Sequence, residues 1–139
     1  MAKTKIILLL LAIILFVGML LGYRYVIYKP NLDANNIKKL LITALPSPPK
    51  GKNVTSKDDI EKFVTFFNTI KLNPTSDQSS KGWEIRILAE GAKMNTIYFV
   101  GNKLCFNGVW YSIEDKKIDE MRKLYYSFNY QEESVYNQK

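Results

Sequence analysis

The chain contains no histidine. Without an imidazole, Ser-His-Asp and Cys-His catalysis and His-ligated metal sites are excluded. Acid/base hydrolysis would fall to paired carboxylates, of which the sequence offers Asp58 with Asp59, Glu114 with Asp115, and Glu84 with Glu90. The first two pairs stand in the first turn of predicted helices, where negative charge offsets the positive end of the helix dipole. Glu84 and Glu90 fall on a predicted sheet and are the remaining candidates for a two-carboxylate centre. No P-loop or dinucleotide fingerprint is present, and the glycines from Gly101 to Gly108 have turn spacing rather than phosphate-loop spacing. Cys105 is the only cysteine, so no intramolecular disulfide can form. Within an apolar strand it reads as a small buried hydrophobe rather than as one half of an intermolecular bridge. Asn53-Val54-Thr55 matches a glycosylation sequon, which matters only in a eukaryotic secretory pathway. The Lys- and Asn-rich, Arg-poor composition fits a bacterial protein instead. The sequence thus points to no catalytic residue, no metal and no cofactor, and the chain is not expected to be an enzyme.

The residue types that remain suit recognition. Tyr98, Val100, Cys105 and Trp110 fall on one face of a predicted sheet, provided that the turns at Gly101-Asn102 and Asn107-Gly108 are both two-residue loops. Val100 then pairs with Lys103 and Phe106 with Val109, and Ile97, Phe99, Leu104, Phe106, Val109 and Tyr111 take the opposite face, toward the core. A three-residue loop at Gly101 would exchange the faces of the 97–100 strand. Two readings of the Tyr98–Trp110 face stand side by side: an exposed aromatic interaction surface, or a face covered by the loop after the N-terminal strand or by the last helix. Tyr125, Tyr126, Tyr130 and Tyr136 form a second aromatic group near the C-terminus.

The elements that position these residues begin with an apolar run from Ile6 to Gly22, preceded by Lys3 and Lys5 and followed by Tyr23, Tyr25 and Tyr28. As a helix this run rises about 26 Å, and continuing it through Val26 and Ile27 spans a hydrocarbon core of roughly 30 Å. Arg24 and Lys29 can then snorkel, and the tyrosines suit the interfacial belt. A cleaved signal would have a shorter core and a small-residue cleavage site, whereas Gly22-Tyr23-Arg24-Tyr25 follows here. Residues 1–28 are therefore expected to be an uncleaved signal anchor. Charges flank the run on both sides, so the short N-terminal segment carries the orientation: N-terminus cytoplasmic, C-terminal domain extracytoplasmic.

The net charge is +7, but beyond position 30 sixteen basic residues face thirteen acidic ones, and only three of the twenty basic residues are Arg. A balance of that kind is an ordinary solvated surface, and phosphate recognition favours the Arg fork. Nucleic acid is not an expected partner.

After a short linker over 29–36, which limits the domain to within about 30 Å of the bilayer, the sequence predicts one α+β domain over 37–129. Lys39 to Leu45 reads as a strand, with a short helix as the competing assignment, and it ends at Pro46-Ser47-Pro48-Pro49. Ser56 and Asp59 have capping-box spacing ahead of a helix whose apolar face is Ile60, Phe63, Val64, Phe67 and Ile70. Four strands then form a meander: the alternation around Trp83 to Leu88, Asn95 to Val100, Lys103 to Phe106, and Val109 to Ser112. Ser112 and Asp115 again have capping-box spacing, before a helix striped by Ile118, Met121, Tyr125 and Phe128. With the 39–45 strand the sheet has four to five antiparallel strands, and the tail 130–139 is polar.

Several of these motifs resemble a family of uncharacterised small extracytoplasmic domains from low-GC Gram-positive bacteria, carried on membrane anchors or lipoproteins. They are the Ile37–Leu45 strand, Val54-Thr55-Ser56-Lys57-Asp58-Asp59-Ile60 entering a helix, Ile97-Tyr98-Phe99-Val100, and Asn107-Gly108-Val109-Trp110-Tyr111 before the last helix. The resemblance implies an extracytoplasmic domain and transfers no catalytic residue. The lipid-attachment cysteine of lipoprotein members is absent here, which leaves the helix as anchor. The expected function is a membrane-tethered extracytoplasmic module that docks another membrane or envelope protein or a cell-surface component. A small regulatory, inhibitor or immunity-type subunit acting through the transmembrane helix is the alternative.

Overall fold

A computed structural model describes residues 1–27, 30–46 and 48–134, with the side chains of 2 and 23–27 outside the description. The interfacial placement expected for Tyr23, Arg24, Tyr25, Tyr28 and Lys29, and Tyr136 of the C-terminal aromatic group, lie outside the described residues. The chain divides into two compact units, Met1–Pro30 and Asn31–Lys139.

The first unit is helix α1, Ala2–Ile27. Its 20-residue stretch Lys3–Gly22 is long and apolar enough to cross a membrane. All of residues 3–22 are exposed. At 1.5 Å per residue the whole helix spans about 39 Å, more than a hydrocarbon core.

The second unit is α+β. Eight strands form one antiparallel sheet: β1 (Ile37–Ala44), β2 (Lys50–Val54), β3 (Asn73–Pro74), β4 (Ile85–Gly91), β5 (Asn95–Val100), β6 (Lys103–Phe106), β7 (Val109–Ser112) and β8 (Glu133–Ser134). Their order across the sheet is β3-β7-β6-β5-β4-β1-β2-β8. The meander β4 to β7 and the strand β1 are those expected from sequence. The expected total of four to five strands is corrected to eight. β2 carries Lys50, Gly51, Lys52 and Asn53, without apolar alternation, while β3 and β8 are two-residue polar edges. β3 and β8 exist only through partners distant in sequence, β7 and β2, while β2 pairs with the preceding strand β1 but has no apolar alternation to announce it.

Local turn chemistry fixes the meander. Asn107 and Gly108 have φ of 49° and 86°, and Gly101 has φ of 55°, the backbone that two-residue hairpin loops require. Val100 therefore pairs with Lys103, and Phe106 with Val109.

Helices α2 (Lys57–Thr69) and α3 (Lys116–Ser127) bury the stripes Ile60-Phe63-Val64-Phe67 and Ile118-Met121-Tyr125. Both belong to the core cluster that also holds Ile42, Ile87, Ile97, Phe99 and Leu104. Phe66 stacks on Phe99 with ring centroids 6.5 Å apart, and Phe67 meets Phe106 at 5.6 Å. The segment entering β1 is held by Asn68, whose side chain accepts from Leu32 N–H at 3.0 Å and donates to Leu32 O at 2.9 Å.

Neither predicted capping box forms. Ser56 occupies the N-cap of α2 without a side-chain hydrogen bond. Instead the Tyr130 hydroxyl accepts from Ser56 N–H at 3.0 Å and donates to Asp59 Oδ2 at 3.2 Å, bridging the two residues that a capping box would join directly. At α3 the N-cap is Asp115, again with no side-chain bond, and Ser112 ends β7. In both cases Asp replaces the longer Glu of the motif at its third position, so the carboxylate has one methylene less with which to reach back.

Candidate functional site

Side-chain alternation sorts the sheet into a face beneath the helices and an opposite face. On the core face Leu40, Ala89 and Asn95 form one register row, and Ile42, Ile87, Ile97 and Phe106 another. The opposite face is crossed by a row running over five strands: Thr43 on β1 pairs with Arg86 on β4, Arg86 with Tyr98 on β5, Tyr98 with Cys105 on β6, and Cys105 with Trp110 on β7. At about 4.8 Å between strands the row is roughly 19 Å long.

Of the residues singled out from sequence, Tyr98 and Trp110 are half-buried and flank Cys105, which is 4% exposed. Burial pushes the Cys105 thiol up, against a smaller opposing effect of the Gly108 backbone, so the sulfur stays a protonated, inert group. Val100 lies at the end of the same face, 6% exposed. It lines a cleft of about 380 Å³ with the loop from Asp77 to Gly82 and with Glu84, Gly101, Asn102 and Lys103. Lys103 crosses to Asp77 at 2.5 Å. Among the described residues, the loop preceding β4 thus borders Val100 across this cleft.

Two members of the row were not anticipated as site residues, Thr43 and Arg86. Arg86 alternates with Ile85 and Ile87 in the sequence, and that signal would have placed it opposite the core. Its position beside Tyr98 needed the β4–β5 register, and Thr43 needed the non-local β1–β4 pairing. Both carry a buried polar atom without a partner among the described residues, Thr43 Oγ1 and Arg86 Nε. The guanidinium carbon of Arg86 lies 6.0 Å from the ring centroid of Trp83, the outer limit of a cation–π contact. Half-buried Leu41 and Leu88, opposite each other, extend the apolar part of the face.

The carboxylate pairs are engaged elsewhere. Glu84 pairs with Arg122 and accepts from Gly101 N–H at 2.9 Å, while Glu90 meets Lys39 at 3.1 Å. Six residues of extended chain put these two glutamates about 20 Å apart, beyond the carboxylate separations of glycoside hydrolysis. Asp59 is held by Lys62 at 2.8 Å, which together with Tyr130 keeps its carboxyl below the usual range. Glu114 is paired with Lys116 at 3.1 Å. Among the described residues, no three Cys, Asp or Glu side chains converge as metal ligands.

Comparison with family models, with curated proteins and with solved structures returns no match.

Proposed function

We propose that the chain is a membrane-tethered binding module whose α+β unit lies outside the cytoplasm and docks another envelope protein through the open face of its sheet. One observation carries the reading: Arg86, Tyr98 and Trp110 share a register row on the face opposite both helices, and all three side chains are only half-buried. Tyr, Trp and Arg are the residue types enriched where truncation costs most at protein interfaces. The exposed apolar α1 supports the tether, and the resemblance to small extracytoplasmic domains supports the compartment. The reading gives the domain no catalytic step.

Substituting Tyr98 and Trp110 together by Ala in the full chain is the direct test. Crosslinked capture of a partner in intact membranes is expected to be lost, with far-UV circular dichroism unchanged because both rings lie outside the core. Capture that persists at the wild-type level sinks the reading. A regulatory subunit acting through α1 is the second reading, favoured by the complete exposure of residues 3–22.

A further inference from the structure

We propose that the partner docks by placing a carboxylate, an Asp or Glu side chain flanked by apolar residues, on the guanidinium of Arg86. This rests on the docking reading above and names the chemistry that the face selects.

Arg86 is the uncompensated cation of its face. Among the described residues its guanidinium has neither an ion pair nor a hydrogen bond, and its Nε is buried without an acceptor. The acids along its strand and in the loop before it are committed elsewhere: Glu84 to Arg122 and Gly101 N–H, Glu90 to Lys39, and Asp77 to Lys103. The same pairs neutralise Lys39 and Lys103, which are the other cations of this face. A buried donor left unmade is costly. Arg86 sits beside the buried, unpartnered Thr43 hydroxyl in the same row, so the fold leaves two neighbouring polar side chains unsatisfied where it satisfies those around them.

Charge complementarity calls for an anion, and the surroundings select its kind. A polyanion is held by a track of several cations, with steep salt dependence, whereas here a single free guanidinium is framed by Trp83, Tyr98, Leu88 and Leu41. One planar fork suits one carboxylate in a bidentate contact. The aromatic and aliphatic frame excludes water from that contact and receives the apolar neighbours of the acidic residue.

The test uses the full chain in lipid nanodiscs and a displayed library of random peptides as probe. Enriched peptides are expected to carry Asp or Glu beside aliphatic or aromatic residues. Changing that acid to its amide, and Arg86→Gln in the chain, should each weaken binding at least tenfold, with no further loss when the two are combined. Arg86→Lys should restore only part of the affinity, since an ammonium lacks the fork. Enriched peptides that lack acids, or that bind the Arg86→Gln chain as tightly as wild type, overturn the carboxylate pairing. They leave the docking face intact if Tyr98→Ala and Trp110→Ala still abolish their binding. Peptides insensitive to those two substitutions, or a selection that enriches nothing, overturn the docking face itself. Polyphosphate serves as a second probe, and binding of it that depends on Arg86 and collapses with salt would reassign the face to a polyanion. The amide-for-acid change in the peptide needs no altered protein, so the pairing stays testable if Arg86→Gln folds poorly.

Discussion

Lys52 is a charged residue only 6% exposed, placed on the core side of the sheet opposite Ile42. Its ammonium donates to Tyr125 O at 3.0 Å and to Phe128 O at 2.8 Å, and lies 4.6 Å from the centre of the Tyr125 ring. These carbonyls belong to the last turn of α3 and its C-cap, where a helix leaves acceptors without intrahelical partners and where a cation complements the dipole. The lysine is therefore the C-terminal cap of α3, supplied by a strand more than seventy residues earlier. Lys52→Met keeps the apolar stem and removes both charge-assisted bonds, leaving Tyr125 O and Phe128 O only their backbone donors, Phe128 N–H at 3.4 Å and Tyr130 N–H at 3.0 Å. A loss of about 1–3 kcal/mol is expected, read as a lower thermal midpoint of the full chain, and an unchanged midpoint would show that water takes over the cap. Nothing in Lys50-Gly51-Lys52-Asn53 announces this role, because a lysine after a proline-rich segment reads as solvated loop until the helix end that it satisfies is in place.

At the level of elements, β4 enters the centre of the sheet beside β1, and its last residue shows how tightly. A Cβ built on Gly91 would fall 1.7 Å from Asn36 O and 2.8 Å from its carbonyl carbon. The β1–β4 register shifts between Ile37 and Lys39 at the same place, and Ala92 N–H donates to Asn36 O at 3.2 Å. Gly91→Ala must push backbone away from backbone, so it is expected to cost about 1–3 kcal/mol or more, with loss of hydrogen-exchange protection along the β1–β4 ladder. Gly101→Ala meets no neighbouring atom and costs only the strain of its positive φ. The contrast explains what was legible beforehand. The turns at Gly101 and Asn107-Gly108 state their geometry in two residues, so the meander and its two faces, with Tyr98, Cys105 and Trp110 on one of them, follow from local sequence. Gly91, the β1–β4 pairing and the edge strands β3 and β8 depend on partners far along the chain, and β2, although it pairs with the preceding strand, carries no apolar alternation. Arg86 and Thr43 were missed for that reason, although Arg86 alone shows the correct alternation. The two capping boxes have the right spacing, but Tyr130 from beyond α3 bridges the residues of the first, and in the second α3 starts later, with Asp115 at the N-cap position and no side-chain bond.

For the whole molecule, the question is whether α1 is a generic tether or part of the working surface. Residues 3–22 are exposed throughout, and an apolar helix of this length in water would leave far more hydrophobic surface uncovered than a soluble protein tolerates. As the proposed tether, it is covered by lipid or by another helix. If lipid alone does so, any hydrophobic segment of equal length is equivalent, since membrane insertion depends on length and hydropathy rather than on the identity of each side chain. Replacing residues 6–22 by a uniform leucine segment should then preserve Tyr98- and Trp110-dependent capture at the wild-type level, measured by crosslinking in intact membranes. An alkaline phosphatase fused at the C-terminus should be active in both versions, as the proposed extracytoplasmic location of the α+β unit requires; an inactive fusion reverses that orientation. Loss of capture on helix replacement, with phosphatase activity and membrane abundance retained, would instead assign recognition to the lipid-embedded face of α1. In that case the Tyr98–Trp110 double substitution should leave capture unaltered, so the two experiments together assign the partner to the sheet or to the helix.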